Sequence, residues 1–405
     1  MRPTITLKKN EDKRLRNGHL WAFSNEIASI SGEAKAGDLA DVKSASGEYV
    51  GTGFYNPHSL IALRLLTTPF EANAAARFAY DDLDVSFFRE RIGAALALRK
   101  KIFPGADSFR VVHGEADLLP GLTIDYFNGI NSVGVASIQT VSYGMSQRIG
   151  MICNVVEELL GTRAIVERND SHLRSYEELE EQKGVLRGSS AETVITEHGI
   201  EYSIDVLEGQ KTGFYLDMRM NRLAIRTYAQ GARVLDCFCN DGGFAFNATL
   251  GGASEVTAVE ISEAVLRRAN ANAARNHALE NIRFVQQDAF KYLHDAAAAG
   301  TTYDLVILDP PSFAKNRKTV TTALQGYRTI NRNALRLLKP GGILATASCS
   351  QLILEEAFLD SIERAARAEG KTVTMLEWHG ASPDHPVLPA MPETKYLKFG
   401  IFAVR

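Results

Sequence analysis

Short stretches of alternating apolar and polar residues, interrupted by frequent glycines, open the chain; apolar runs alternating with helical periodicity close it. Through about Thr68 the stretches Ala40–Val42, Tyr49–Phe54 and Ile61–Leu65, parted by turns such as Ser46-Gly47, predict a small β-rich module. Helical spacing follows over Phe87–Ile102, with Phe88, Ile92, Ala95 and Leu98–Arg99 on the repeat. Strand-like runs come next at Phe109–Val112, Leu122–Phe127 and Ser132–Ala136. A helix over Tyr143–Leu160 and strands at Ala164–Glu167 and Gly199–Val206 complete a mixed region.

From Arg233 the pattern becomes strict. Strands Val234–Cys237, Glu255–Glu260, Ile282–Val285, Tyr303–Leu308 and Gly342–Ala347 alternate with helices near Phe244–Leu250, Ala264–Asn276, Leu324–Leu338 and Leu354–Glu369. Thr372–Trp378 and Tyr396–Val404 are two final strands, and Ala296–Ala299 reads as a short Ala-rich turn. Strands rich in Val, Ile and Leu that alternate with helices predict a Rossmann-like α/β sheet covered on both faces. The expected organisation is a β-rich domain over residues 1–72, a central α+β domain over 73–205 and an α/β domain over 206–405.

Composition adds limits. At 405 residues, with 45% apolar and 23% charged, the chain reads as globular and multidomain. No apolar run approaches the roughly 20 residues that span a bilayer. The N-terminus is charged without an apolar segment, so it does not read as a secretory signal. A cytoplasmic location with no membrane partner is the expectation. Cys153, Cys237, Cys239 and Cys349 form neither a disulfide framework nor a zinc site, so no metal is expected. A net charge of −3 means that any nucleic acid must be gripped by local basic surface. Lys8, Lys9, Lys13, Arg14 and Arg16 form one such run, equally readable as a solvated face. Lys315, Arg317 and Lys318 form the other.

Ligands of a doubly wound sheet bind beyond the carboxyl ends of its strands. After the first α/β strand comes Asp236-Cys-Phe-Cys-Asn-Asp-Gly242-Gly243, whose glycine pair lets backbone approach a ligand. It is neither a dinucleotide fingerprint nor a P-loop. Glu260 ends the second strand, placed to accept hydrogen bonds from two ribose hydroxyls, or to brace the next helix with Ser262. After the third strand, Asp288 and the backbone of Ala289 suit an adenine edge, although Asp288 is equally a helix N-cap. Acids at three successive strand ends are more specific than any one of them.

The fourth strand ends in Asp309-Pro310-Pro311-Ser312-Phe313, a loop stiffened by two prolines. By itself the motif is ambiguous: it resembles the loop of enzymes that methylate exocyclic amino groups of adenine. The fifth strand ends in Ser348-Cys349-Ser350. A thiolate adding to carbon 6 of a cytosine makes carbon 5 nucleophilic, chemistry that an amine target does not need. Cys349 also precedes a predicted helix, whose N-terminal dipole favours thiolate. A lone cysteine is more often a small buried hydrophobe; its place beside the Asp-Pro-Pro loop argues for the nucleophile. Methylation at nitrogen with a structural Cys349, and a non-catalytic RNA-binding factor, are the alternatives.

These ordered motifs resemble those of class I S-adenosylmethionine-dependent methyltransferases. The resemblance implies Asp236, Asn240 and Gly242 near the methionine part, Glu260 on the ribose and Asp288 near the adenine. The first loop departs from the usual pattern in having fewer glycines. Nearly the whole chain resembles the bacterial 23S rRNA 5-methylcytosine methyltransferases of the RlmI type, which join a PUA domain, a central domain and a methyltransferase. Gly18–Asn25, Gly121–Asp125, Gln210–Asp217, Asp384-His385-Pro386 and Glu393–Lys398 carry that likeness. It implies that Cys349 is the nucleophile, that Asp309 contacts the target base, and that Phe214 and Tyr215 line the cofactor. Pro310, Pro311, Phe313 and Lys315 are expected on the substrate side, with Phe313 stacking on a planar base, and the resemblance implies that the PUA-like module grips RNA. The expected partner is 23S rRNA or a large-subunit precursor, with a homodimer left open. The remover of the C5 proton is Asp309 or a water. Trp21 and Phe23 read as core of the small module rather than a base-stacking platform; His385 and Lys395 read equally as substrate-loop or surface residues.

Overall fold

The computed structural model describes residues 2–68, 70, 83–129, 132–277, 281–314 and 316–405. The chain divides into one unit of Met1–Thr196, Ile204–Leu216 and Pro383–Thr394 and a second of Glu197–Ser203, Asp217–Ser382 and Lys395–Arg405.

In the first unit, β1 (Thr4–Leu7), β2 (Trp21–Ala22), β3 (Ile27–Ser31), β4 (Leu39–Lys43), β5 (Tyr49–Tyr55) and β6 (Leu63–Leu65) form a sheet of order β2-β6-β5-β4-β1-β3. Alternation turns Ile5, Leu7, Val42, Leu63 and Leu65 into one core. Gly53 is required where β5 meets β6: a Cβ there would lie 2.2 Å from the Arg64 carbonyl oxygen. Trp21 and Phe23 are half-buried at the margin of this core, and the Trp21 indole N–H donates to Glu115 at 2.8 Å.

A second sheet, β11 (Gln182–Arg187), β10 (Ala164–Asn169), β9 (Ser132–Thr140), β8 (Leu122–Gly129) and β7 (Ser108–His113) in that spatial order, packs on helices Val85–Ile102 and Ile149–Leu160. In the first helix the inward stripe is Phe88, Ile92, Ala95, Leu96 and Arg99, whereas Leu98, expected on the stripe, is 43% exposed. The single helix expected over Tyr143–Leu160 is broken at Arg148. The buried Arg148 guanidinium there donates to the carbonyls of Gly37 (3.2 Å) and Gly144 (2.8 Å). Strands β12 (Glu192–Glu197) and β13 (Ile200–Asp205) follow.

The second unit is built on β14 (Arg233–Cys237), β15 (Glu255–Glu260), β16 (Ile282–Gln286), β17 (Tyr303–Leu308), β18 (Leu338–Ser348), β19 (Val373–His379) and β20 (Lys398–Val404). Their spatial order is β16-β15-β14-β17-β18-β20-β19. The first five are parallel, and β20 runs antiparallel to both its neighbours. The predicted Rossmann-like sheet is borne out. Val234, Leu305 and Ile307 face one layer of helices with Phe244, Ala248 and Leu266. Leu235, Val306 and Leu308 face the other, with Leu293, Tyr327, Ile330 and Phe358. Central strands buried on both faces read as unbroken apolar runs for this reason. The Ala-rich turn expected at 296–299 is instead the end of helix Ala289–Ala298. Asp288 caps that helix by accepting from Lys291 N–H, and Ala289, Leu293 and Ala296 bury one stripe, so alanine's helix propensity prevails. No helix among the described residues is long and apolar enough to cross a membrane.

Candidate active site

Five parallel strands bring their carboxyl ends to one edge, and each end carries a residue singled out in the sequence. The chain reverses its strand order between β14 and β17, the switch point at which sheets of this kind take their ligands. Asp236 ends up fully buried on β14. One of its oxygens accepts the Ala245 N–H at 2.9 Å, at the start of helix Gly243–Leu250, while Oδ1 has no partner among the described residues. Burial first, then the nearby charges of Asp309 and Glu260, push this carboxyl well above the usual range. Glu260 is half-buried: Oε1 accepts the N–H groups of Ile261 (2.9 Å) and Ser262 (3.0 Å), and Oε2 accepts that of Asn240 at 3.4 Å. It thus braces the turn, while Ser262 caps the next helix. Asp288 is exposed and serves as an N-cap, with Ala289 buried behind it.

The loop after β14 shows what replaces the missing glycines. Phe238 and Asn240 both adopt left-handed backbone, with φ of 63° and 49°, where glycine would be relaxed. Gly242 has φ 87°, and a Cβ on it would lie 2.5 Å from the Phe246 ring. Gly242→Ala is therefore expected to lower the thermal unfolding midpoint by about 2–4 °C or more; an unchanged midpoint would show that the loop tolerates the strain. Beneath this loop Arg222 packs so closely that a Cβ on Gly243 would sit 2.5 Å from its Cδ. Arg222 in turn donates to the buried Glu197 at 2.8 and 2.7 Å. Cys237 and Cys239 are buried thiols, pushed well up by burial and then by Asp236.

The Asp-Pro-Pro loop and the Ser-Cys-Ser strand end are tied together. Tyr327, fully buried, meets Ser348 Oγ at 3.0 Å and Ser350 Oγ at 2.9 Å. Ser350 Oγ also meets Ser312 Oγ at 2.9 Å and accepts the Ala314 N–H at 3.4 Å. Between the two serines Cys349 is half-buried, its sulfur 3.9 Å from the Pro310 carbonyl oxygen. Asp309 is half-buried, Pro310 buried and Pro311 exposed. Phe313 is half-buried in a line of rings, 6.0 Å from Phe290 and 4.7 Å from Tyr327. The helix expected to favour a thiolate begins only at Glu355, with Ser350–Leu354 intervening and Glu355 and Glu356 in its first turn. A helix dipole fades within a turn, so it does not serve Cys349. A lysine buried beside this strand end is Lys398 on β20; the sequence placed it only within the Glu393–Lys398 likeness, with no role, because strand pairing alone brings it there.

Other predicted residues are divided between the two units, with Phe214, Tyr215 and His385 in the first and Arg317, Lys318 and Lys395 in the second. Phe214 is buried and Tyr215 half-buried, with Lys211 Nζ 4.4 Å above the Tyr215 ring. Three motifs converge there in one buried network. Arg110 holds Asp125 through two bonds of 2.7 and 2.8 Å, Thr212 donates to Asp125, and Asp384 accepts the Arg110 backbone N–H at 3.0 Å. His385 is buried, 5.2 Å from the His113 ring, which rules out the surface reading for it. Lys395 pairs with Glu355 at 2.6 Å. In the basic run near the N-terminus, Arg14 pairs with Glu26 and Arg16 with Asp12 and Glu48, whereas no ion pair among the described residues engages Lys8, Lys9 or Lys13. Arg317 and Lys318 are exposed. Lys315 lies outside the described residues.

The site suits S-adenosylmethionine. Acidic side chains at the strand ends offer acceptors for a ligand that carries a sulfonium, an ammonium and two ribose hydroxyls, and the buried, unpartnered Asp236 Oδ1 is costly without a donor. Comparison with known proteins agrees. The S-adenosylmethionine-dependent methyltransferase family matches residues 111–399, and a PUA-like domain family matches residues 5–68. Ribosomal RNA large subunit methyltransferase I of Klebsiella pneumoniae is 36% identical over 401 residues, covering 98% of this chain and 97% of its own. That of Tolumonas auensis is 37% identical over 405 residues, covering 98% of each. Among solved structures, SMU.776 in complex with SAH superposes with a TM-score of 0.82 over all of both chains, at 21% identity.

Proposed function

The chain belongs to the S-adenosylmethionine-dependent methyltransferase family that contains the ribosomal RNA large subunit methyltransferases I, and we propose that it forms 5-methylcytosine in 23S rRNA through a covalent adduct on Cys349. The observation that carries this reading is the half-buried Cys349, fixed between two serines against the Asp309-Pro310-Pro311 loop. Asp236, Asn240 and Gly242 hold the methionine part of the cofactor, Glu260 its ribose, and Asp288 with the Ala289 N–H its adenine. When bound, S-adenosylmethionine supplies an electrophilic methyl group.

Cys349 supplies the nucleophile. Its sulfur bonds to carbon 6 of the cytosine, and the displaced π electrons make carbon 5 able to take the methyl. Asp309 contacts the base edge, and Asp309 or a water accepts the C5 proton. The electrons of the broken C5–H bond re-form the ring double bond and expel Cys349 as thiolate. Ser312 stands in the Asp-Pro-Pro loop, and no second thiol is there to assist release. Pro310, Pro311, Phe313 and Lys315 form the substrate side, and the PUA-like module grips RNA.

The test is nucleoside mass spectrometry of undermodified 23S rRNA incubated with the protein and S-adenosylmethionine. New 5-methylcytidine is the expected result. Methyl on a nitrogen would overturn the covalent route.

A further inference from the structure

Lys398 carries a buried charge beside the nucleophile. The register of β18 on β20 places it directly opposite Ser348, one residue before Cys349. Its side chain is buried, and Nζ donates to the carbonyl oxygens of Ser350 and Ile353, both at 2.7 Å. No carboxylate among the described residues lies within 4.0 Å of Nζ. Two neutral carbonyls would be served equally well by an uncharged donor, whereas a buried ammonium without a counterion is costly. The anion that would offset it must arise nearby, and the Cys349 sulfur is the ionisable group on the very turn that Lys398 holds.

We propose that Lys398 is a positioning residue for Cys349: it pins the Ser350–Ile353 turn and supplies the positive charge that holds the sulfur as thiolate. The proposal rests on the covalent reading given above. Burial lowers Lys398 to about 8, and Cys349 is the largest influence opposing that fall, followed by Glu355, with Lys395 acting the other way. Glu355 is itself engaged by Lys395 at 2.6 Å. On the opposite side Tyr327 is raised by burial and also feels Cys349. The other thiols are raised: Cys153 is pushed up to about 11 by burial in spite of Arg187, and Cys237 and Cys239 are pushed well up by burial and then by Asp236. At neutral pH, below its value of about 8, Lys398 stays largely protonated, and the thiol proton goes to solvent. When sulfur bonds to carbon 6 its negative charge moves into the base, and when the adduct breaks down the ammonium favours departure of the sulfur as thiolate.

Iodoacetamide alkylation of the full-length protein, followed at the Cys349 peptide by mass spectrometry across pH, tests this without RNA. In the wild type the midpoint is expected below the ordinary thiol value of about 8.5; a midpoint at or above it overturns the proposal. Lys398→Gln, which keeps N–H donors but loses the charge, is expected to raise the midpoint by about one pH unit or more. Lys398→Arg is expected to restore it. Superimposable Lys398→Gln and wild-type profiles would equally overturn the proposal. Because no methyl transfer is read, failure here leaves 5-methylcytidine formation untouched. Methylation by a Cys349→Ala protein, in contrast, would remove the covalent reading while leaving any alkylation shift in place.

Discussion

Cys349→Ala is expected to lower methyl transfer to 23S rRNA by on the order of 10³-fold or more, with S-adenosylhomocysteine binding retained. The asymmetry follows from position. Cys349 follows the last residue of β18 and faces the Asp-Pro-Pro loop, whereas the carboxylates assigned to the cofactor sit on β14, β15 and the turn after β16. Losing the sulfur removes the bond to carbon 6 and leaves carbon 5 without nucleophilic character. Cys349→Ser keeps the shape and is expected to be almost as inactive, because a hydroxyl is a far weaker nucleophile at neutral pH. Single-turnover methylation with labelled cofactor, alongside calorimetry with S-adenosylhomocysteine, separates chemistry from binding. Full activity in the alanine variant would turn Cys349 into a packing residue and direct attention to a nitrogen target.

The largest effect on folding is expected from Glu197→Ala. Glu197 is buried and holds Arg222 through two bonds of 2.8 and 2.7 Å, with Arg219 at 3.4 Å. Arg222 draws the Glu197 carboxyl below its ordinary value against the opposing effect of burial. Removing the carboxylate deletes one partner of a buried ion pair, which costs about 3–5 kcal/mol. Since Arg222 lies directly under Gly243, the cofactor loop is expected to loosen as well. Thermal unfolding with and without S-adenosylhomocysteine measures both: a lowered midpoint and weaker ligand stabilisation are expected. An unchanged midpoint would mean that the arginines find other partners and that the pair is not a support of the loop.

The sequence was most legible where structure is locally encoded. Strand–helix alternation beyond Arg233 identified the seven strands of the second unit, because a buried parallel strand needs an unbroken apolar run and a covering helix needs a stripe. The strand ends were then countable, so Asp236, Glu260, Asp288, Asp309 and Cys349 were found as a set before any contact was known. Helix details were weaker. Leu98 misled because it lies just off a stripe that Leu96 and Arg99 occupy, and an alanine run looked like a turn although Asp288 caps a helix through it.

By itself the sequence determined the Rossmann-like sheet, the carboxylates at its strand ends and the cysteine beside the Asp-Pro-Pro loop, all of which follow from short-range periodicity and from residues adjacent in the chain. Only the tertiary structure decided what supports them. Inserting β20 antiparallel beside β18 sets Lys398 opposite Ser348, and helix packing brings Tyr327 under both serines. The turn into the second unit delivers Glu197 to Arg222. Each of these contacts joins residues far apart in the chain through hydrogen-bond register or side-chain packing. No local pattern encodes register, which is set by the fit of the whole core.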